Sequence, residues 1–228
     1  MSHLTAVIYN SHNNNRNLTV EEQLRQRKVF IVRHGESILN NEQRHTGAVK
    51  NSSLTPQGEK DALDVAYWFL SRGIRVNRII SSPLERALLT AERIAEATNA
   101  PLEVREEAKE LHLGDLEGML ISQAQTDYTD FFTKRAQNAE AKVTTPYPNG
   151  ESPEQALQRI KPLTDEILAS DEEVTIIVGH QGVNRAIRSG LTGEPLESLI
   201  FYYQEHREVV EIDLPSKTAL THHIDSSN

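Results

Sequence analysis

Three short apolar runs end abruptly in polar residues with chemical potential. Val29-Phe-Ile-Val32 stops at Arg33-His34-Gly35, and Val174-Thr-Ile-Ile-Val178 stops at Gly179-His180-Gln181-Gly182. Arg78-Ile-Ile80 stops at Ser81-Ser-Pro-Leu-Glu-Arg86. Runs of this length, rich in β-branched residues and bounded by glycine or proline, read as buried strands. Gly35 is expected to break the first strand and let the backbone turn sharply. Alternation in Val209-Val-Glu-Ile-Asp-Leu214 predicts a late strand, read as antiparallel.

Between these runs the apolar spacing changes to that of helices. Thr55-Pro56 has the form of an N-cap with proline at the first position, and predicts a helix buried through Ala62, Ala66, Phe69 and Leu70. Ser82, Pro83 and Glu85 predict a capped start for a second helix burying Leu84, Leu88, Ala91 and Ala95. Ser152-Pro-Glu-Gln155 opens a third, with Leu157, Ile160, Leu163 and Ile167 as its stripe and a kink expected at Pro162. A fourth follows His180, from Val183 to about Leu191. The alternation of strand and helix makes the chain an α/β protein.

At 228 residues, 37% hydrophobic and 25% charged, the chain is expected to form one domain with a sizeable core. The segment 1–26 is polar and asparagine-rich apart from Ala6-Val-Ile-Tyr9, and reads as a loosely ordered extension ahead of a domain over 27–228. The net charge of −9 argues against nucleic acid and anionic membrane as partners. Cysteine is absent, which removes thiolate nucleophiles and thiolate metal sites. His3, His12, His222 and His223 have no carboxylate framework around them and read as surface imidazoles. No metal is expected. No apolar run reaches membrane-spanning length and the amino terminus lacks a signal-peptide pattern, so a cytoplasmic location is the default expectation.

If the three strands are parallel neighbours, their ends bring Arg33, His34, Arg86 and His180 into one crevice, where open α/β sheets bind ligands. Two guanidiniums beside imidazoles, in an otherwise acidic protein, suit an anion and above all a phosphoryl group. Arg-His-Gly-Glu36 with Asn40, Ser-Ser-Pro-Leu-Glu-Arg-Ala, and Gly-His-Gln-Gly together resemble the histidine phosphatase superfamily, branch 1, also called phosphoglycerate mutase-like. The resemblance runs over roughly residues 28 to 215 in the family's order.

That resemblance implies a three-layer αβα fold whose central sheet is mostly parallel with one antiparallel edge strand. It implies His34 as nucleophile, His180 beside it, and Arg33, Asn40 and Arg86 on the phosphate, with no cofactor. The segment Lys109 to Gly118 is similar to the one that supplies the family's proton donor. It implies Glu110 in that role, with Asp115 and Glu117 as alternatives, and burial must favour its neutral form. The other branch of the superfamily has an aspartate where this chain has Gln181. Arg44, Thr46, Gly47 and Gln181 are the further substrate-binding candidates. Glu36 reads as an ion pair orienting Arg33 or a helix start. Arg86 and His180 are expected to serve catalysis rather than stability.

The loop Asn40 to Gly47 resembles that of the mutases. Leu111, Leu113 and Ile121 instead replace the polar and aromatic groups expected of a mutase, and an apolar lining there should not pair a substrate carboxylate. Tyr147-Pro-Asn-Gly-Glu-Ser152 resembles phosphatases and the fructose-2,6-bisphosphatase domain. The expected activity is hydrolysis of a small phosphorylated metabolite, a sugar phosphate or bisphosphate, through phosphohistidine. A cofactor-dependent phosphoglycerate mutase is the alternative, and a non-catalytic phospho-ligand binder a weaker one. Residues 119–149 are expected to form a cap-like insertion, with Tyr128, Lys134, Arg135, Lys142 and Tyr147 as its polar candidates.

Overall fold

A computed structural model describes residues 27–49 and 51–225; the extension read over 1–26, with His3 and His12, lies outside the described residues. Six strands form one sheet in the order β3-β2-β4-β1-β5-β6. They are β1 (Lys28–Arg33), β2 (Arg78–Ser81), β3 (Leu102–Val104), β4 (Val174–Gly179), β5 (Glu208–Asp213) and β6 (Thr218–His223). The three runs that end in chemistry occupy the centre, where β4 pairs in parallel with β1 on one side and β2 on the other. Their near-continuous apolar character follows, since both faces are covered.

Helices α1 (Ile38–Asn41), α2 (Pro56–Ser71) and α3 (Glu85–Thr98) follow β1 and β2. Three short helices come next: α4 (Ile121–Asp127), α5 (Thr129–Arg135) and α6 (Ala139–Thr144). The chain then forms α7 (Pro153–Ala169), α8 (Gln181–Thr192) and α9 (Leu196–Leu199). Phe30, Val32, Ile176 and Val178 on one face of the sheet pack with Val65, Phe69, Ala87, Ala91 and Ile94 from α2 and α3. Ile31, Ile80 and Ile177 on the other face pack with Ile160, Leu163, Ile167, Val183 and Ile187 from α7 and α8. This is the three-layer αβα arrangement expected.

Several details differ from expectation. The one strand that opposes the rest, β5, is not an edge: it lies between β1 and β6. The edges are β3 and β6, too short or too polar for an apolar run to mark them. Helix α3 begins with Leu84 as N-cap and has no capping box. The Ser82 hydroxyl accepts from the Leu84 N–H at 3.2 Å and faces the crevice instead. Leu70 is exposed, the apolar stripe of α2 turning inward through Trp68. Helix α7 keeps its predicted Ser152–Gln155 capping box and runs on through Pro162. His222 is not a free surface imidazole: its Nε2 lies 2.7 Å from Glu211 Oε2 and its ring packs on Trp68. Gly35 is needed for proximity rather than for a turn. A Cβ there would lie 2.2 Å from the Gly58 carbonyl oxygen in the first turn of α2.

Candidate active site

The parallel register puts Arg33 opposite Gly179 and Ser81 opposite Val178, so three strands end at one level. His34 is the first residue past β1, its N–H bonded to the Gly179 carbonyl at 3.1 Å. Its Nδ1 lies 2.7 Å from the Gly35 carbonyl oxygen. A carbonyl can only accept, so Nδ1 carries the proton and Nε2 presents a lone pair. Arg86 Nε approaches that Nε2 at 3.3 Å. His180, the N-cap residue of α8, stands with its ring centroid 4.9 Å from that of His34. Its Nε2 lies 2.8 Å from the Ser82 hydroxyl. Its Nδ1 is buried without a hydrogen-bond partner among the described residues.

The electrostatics follow from burial and like charge. Both imidazoles are held well below their ordinary pKa, first by desolvation, then by neighbouring guanidiniums and, for His34, by the His180 and His206 imidazoles. Each is therefore neutral near pH 7, the form a nucleophilic imidazole needs. Burial also pushes Arg86 down to about 10, although Glu110 and Glu117 favour its charge. Arg86 is fully buried and spends its other donors on the carbonyls of Gly47 at 2.7 Å and Val49 at 2.9 Å. It therefore pins the 47–49 loop as well as facing His34, a structural contact beside the mainly phosphoryl-directed role expected of it. Arg33 donates to the Gln204 carbonyl at 2.8 Å and lies over the Tyr203 ring.

A cavity of about 570 Å³ opens beside this group. Of the three carboxylates weighed as proton donor, only Glu110 lines it. Its oxygens accept from the backbone N–H groups of Leu111, Gly182 and Val183, all within 2.9 Å. Gly182 makes this possible, since a Cβ there would lie 2.7 Å from Glu110 Oε1. Asp115 is instead bonded by Asn149, and Glu117 by the N–H groups of Ala48 and Leu113.

Asn40, Arg44, Thr46, Gly47 and Gln181 all line the cavity. The Asn40 Oδ1 is bonded by Ser37, which leaves its amide N–H₂ as a donor. Arg44 is half spent on Glu42 and the Gly118 carbonyl. The Gln181 amide is tied to the backbone of Tyr202 and Gln204. Glu36 does not pair with Arg33; it accepts from the hydroxyl of Thr55, the N-cap of α2, at 2.7 Å.

Sequence reasoning missed Arg185, Leu196, Ile200, Tyr203 and His206 of this lining. Arg185 stands one helical turn after Gln181, a signal available in the sequence. Tyr203 and His206 come from an irregular loop before β5 that carries no pattern. From the 119–149 candidates the cavity takes Arg135, Lys142 and Tyr147, but neither Lys134 nor Tyr128. Arg135 stacks over Tyr147 at 4.6 Å, and Arg135 and Arg185 both depress the pKa of Lys142 behind the larger effect of burial.

Residues 29–224 match the model of the histidine phosphatase superfamily (branch 1), and the chain belongs to that family. The protein named "Putative phosphoserine phosphatase 2" from Hydrogenobacter thermophilus is 30% identical over 188 residues, covering 82% of this chain and 90% of its own length. The rat 6-phosphofructo-2-kinase/fructose-2,6-bisphosphatase 1 is 32% identical over 161 residues, 71% of this chain. This chain spans only 32% of that bifunctional protein. Mycobacterial glucosyl-3-phosphoglycerate phosphatase, solved with VO3, superposes with a TM-score of 0.74 at 23% identity, over 88% of this chain and all of that one. The fold is therefore the phosphoglycerate mutase-like fold of these structural neighbours.

Proposed function

We propose that the protein hydrolyses a small phosphorylated metabolite through a phosphohistidine on His34. One observation carries this reading: a buried, neutral imidazole with its proton fixed on Nδ1 turns the lone pair of Nε2 toward the Arg86 guanidinium, with Arg33 close enough to act on it electrostatically. Nε2 attacks phosphorus, the ester P–O bond breaks, and Glu110 gives the leaving oxygen its proton. Water then attacks phosphorus, Glu110 takes the water's proton, the P–N bond breaks, and inorganic phosphate leaves. Arg33, Arg86, Asn40 and the unpartnered side of His180 stabilise the equatorial oxygens as charge moves. For this Arg86 Nε must turn from the imidazole to a phosphoryl oxygen. Protonation of Glu110 weakens its bonds from these N–H groups, since a neutral carboxyl is the poorer acceptor.

Residues 119–149 act as the cap in this reading and set specificity. Arg135, Lys142 and Arg185 share the cavity and form no ion pair among the described residues. They fit a second anionic group, so a sugar bisphosphate suits the cavity better than a sugar monophosphate. The same cations weaken the argument that an apolar lining excludes a carboxylate. Leu111, Leu113 and Ile121 do line the cavity, but with cations beside them. A mutase is thus the second reading, and the phosphatases among the relatives favour hydrolysis over it.

Every step is assigned to side chains of this chain, so phosphate release from sugar phosphates and bisphosphates should persist in EDTA. Acid-labile phosphate should be trapped on His34, and His34→Ala should lower the rate on the order of 10⁴-fold or more. Full activity in His34→Ala would overturn the reading. Incubation with 3-phosphoglycerate and a 2,3-bisphosphoglycerate primer separates the two activities: isomer equilibration with little free phosphate would establish the mutase.

A further inference from the structure

His34 lies one residue beyond the end of β1, where the ladder no longer serves its carbonyl. The last pair between β1 and β5 is Val32 with Val209. His34 is 2% exposed, and a buried carbonyl left without a partner forfeits its hydration for nothing in return. The partner here is a side chain: His206 Nδ1 lies 2.6 Å from the His34 carbonyl oxygen. The N–H of the same peptide group, belonging to Gly35, donates to the Thr90 hydroxyl at 3.1 Å. The next carbonyl, that of Gly35, receives the Nδ1 proton of the His34 ring. The peptide between residues 34 and 35 is therefore held on both sides. Its orientation sets where the tautomer-fixing carbonyl of Gly35 points.

We propose that His206 is a positioning residue for the nucleophile. Its Nδ1–H holds the His34 carbonyl, fixes the 34–35 peptide, and so keeps the His34 proton on Nδ1 and Nε2 aimed at phosphorus. The inference rests on the phosphohistidine reading above.

The surroundings of His206 suit this role. Burial and Arg33 push its pKa down to about 4, while the His34 carbonyl and the carboxylates of Asp61 and Glu36 act in the opposite sense. At neutral pH it therefore has a single N–H, and the geometry commits that N–H to His34. Its Nε2 has no hydrogen-bond partner among the described residues, and the residue lines the cavity. His206 lies in the loop that also supplies the Gln204 carbonyl to Arg33. One irregular segment thus fixes both residues that follow each other at the end of β1.

Three substitutions separate positioning from plain stability. Asparagine can place an amide N–H where Nδ1 stands; glutamine reaches only toward Nε2; alanine offers neither. With p-nitrophenyl phosphate, well below every variant's melting temperature, kcat of His206→Ala and His206→Gln should fall about 10- to 100-fold with KM little changed. His206→Asn should recover to within about threefold of the parent rate. Nitrogen-15 spectra of the His34 ring should show the Nδ1–H tautomer in the parent protein and His206→Asn, and a mixture in His206→Ala. An alanine variant as fast as the parent would overturn the inference, as would an unchanged His34 tautomer or rates that track melting temperature in all three variants. A parent protein that releases no phosphate from any ester would overturn the phosphohistidine reading itself, and this inference with it. An active parent beside an equally active alanine variant overturns this inference alone.

Discussion

Strands β1 and β2 carry cations toward both ends of the sheet, and the two ends treat them in opposite ways. Where the strands begin, Lys28 meets Glu211 at 2.5 Å, and Glu211 also takes His222. Arg78 meets Glu166 at 3.0 Å, and Glu166 also takes Arg105. Where the strands end, Arg33 and Arg86 find carbonyls and an imidazole instead, with no ion pair among the described residues. Compensated charge has little left to offer a ligand. Two cations left with neutral partners keep their attraction for an anion, at the cost of mutual repulsion that the surrounding core must offset.

The sharpest way to break this comparison is to remove the uncompensated cation and its neighbour. His180→Ala and Arg86→Ala should each lower kcat/KM for phosphate release by on the order of 10². Arg86→Ala should also lose about 1–3 kcal/mol in denaturant unfolding, because the Gly47 and Val49 carbonyls lose their donor. A variant of either that keeps full activity would make the strand-end cluster structural.

The distal cations should matter less and more selectively. Arg185→Ala or Lys142→Ala should reduce kcat/KM for a sugar bisphosphate by about tenfold, the worth of one charge-assisted hydrogen bond. The rate with p-nitrophenyl phosphate should barely change. Equal losses on both substrates would remove the second-anion reading.

Stability should follow the buried imidazoles with a definite sign. His34, His180 and His206 have lowered pKa values in the folded chain, His206 at about 4. Below about pH 6.5 the unfolded chain binds protons that the folded chain refuses, so stability falls as pH falls. For His206 the loss spans pH 6.5 down to about 4. Melting temperatures measured from pH 7.5 to 4.5 should decline, and less steeply in His206→Asn. At the compensated end the effect should be smallest. Lys28→Met removes a half-exposed pair, should cost less than about 1 kcal/mol, and should leave kcat unchanged. A large loss of activity there would mean the two ends are not functionally separate.

The amino-acid sequence by itself determined the central strands, the helices capped by Thr55 and Ser152, and the placing of His34, Arg86 and His180 just beyond strand ends. These are local facts: a β-branched run marks a buried strand, and the residues that interrupt it must lie at its end. The same logic could not find β3 and β6, because an edge strand with exposed side chains needs no apolar run. It gave Gly35 and Ser82 local duties, a turn and a cap. Their actual duties come from elsewhere in the chain: the approach of Gly58, and a hydrogen bond to His180. Glu110 was found through resemblance, but two of its three N–H donors, Gly182 and Val183 at the start of α8, come from the packing of a distant segment. Tyr203 and His206 were invisible, since a loop residue gains meaning only from what it touches. Tertiary structure alone decided that an imidazole from residue 206 would satisfy the one carbonyl at residue 34 that the sheet leaves behind.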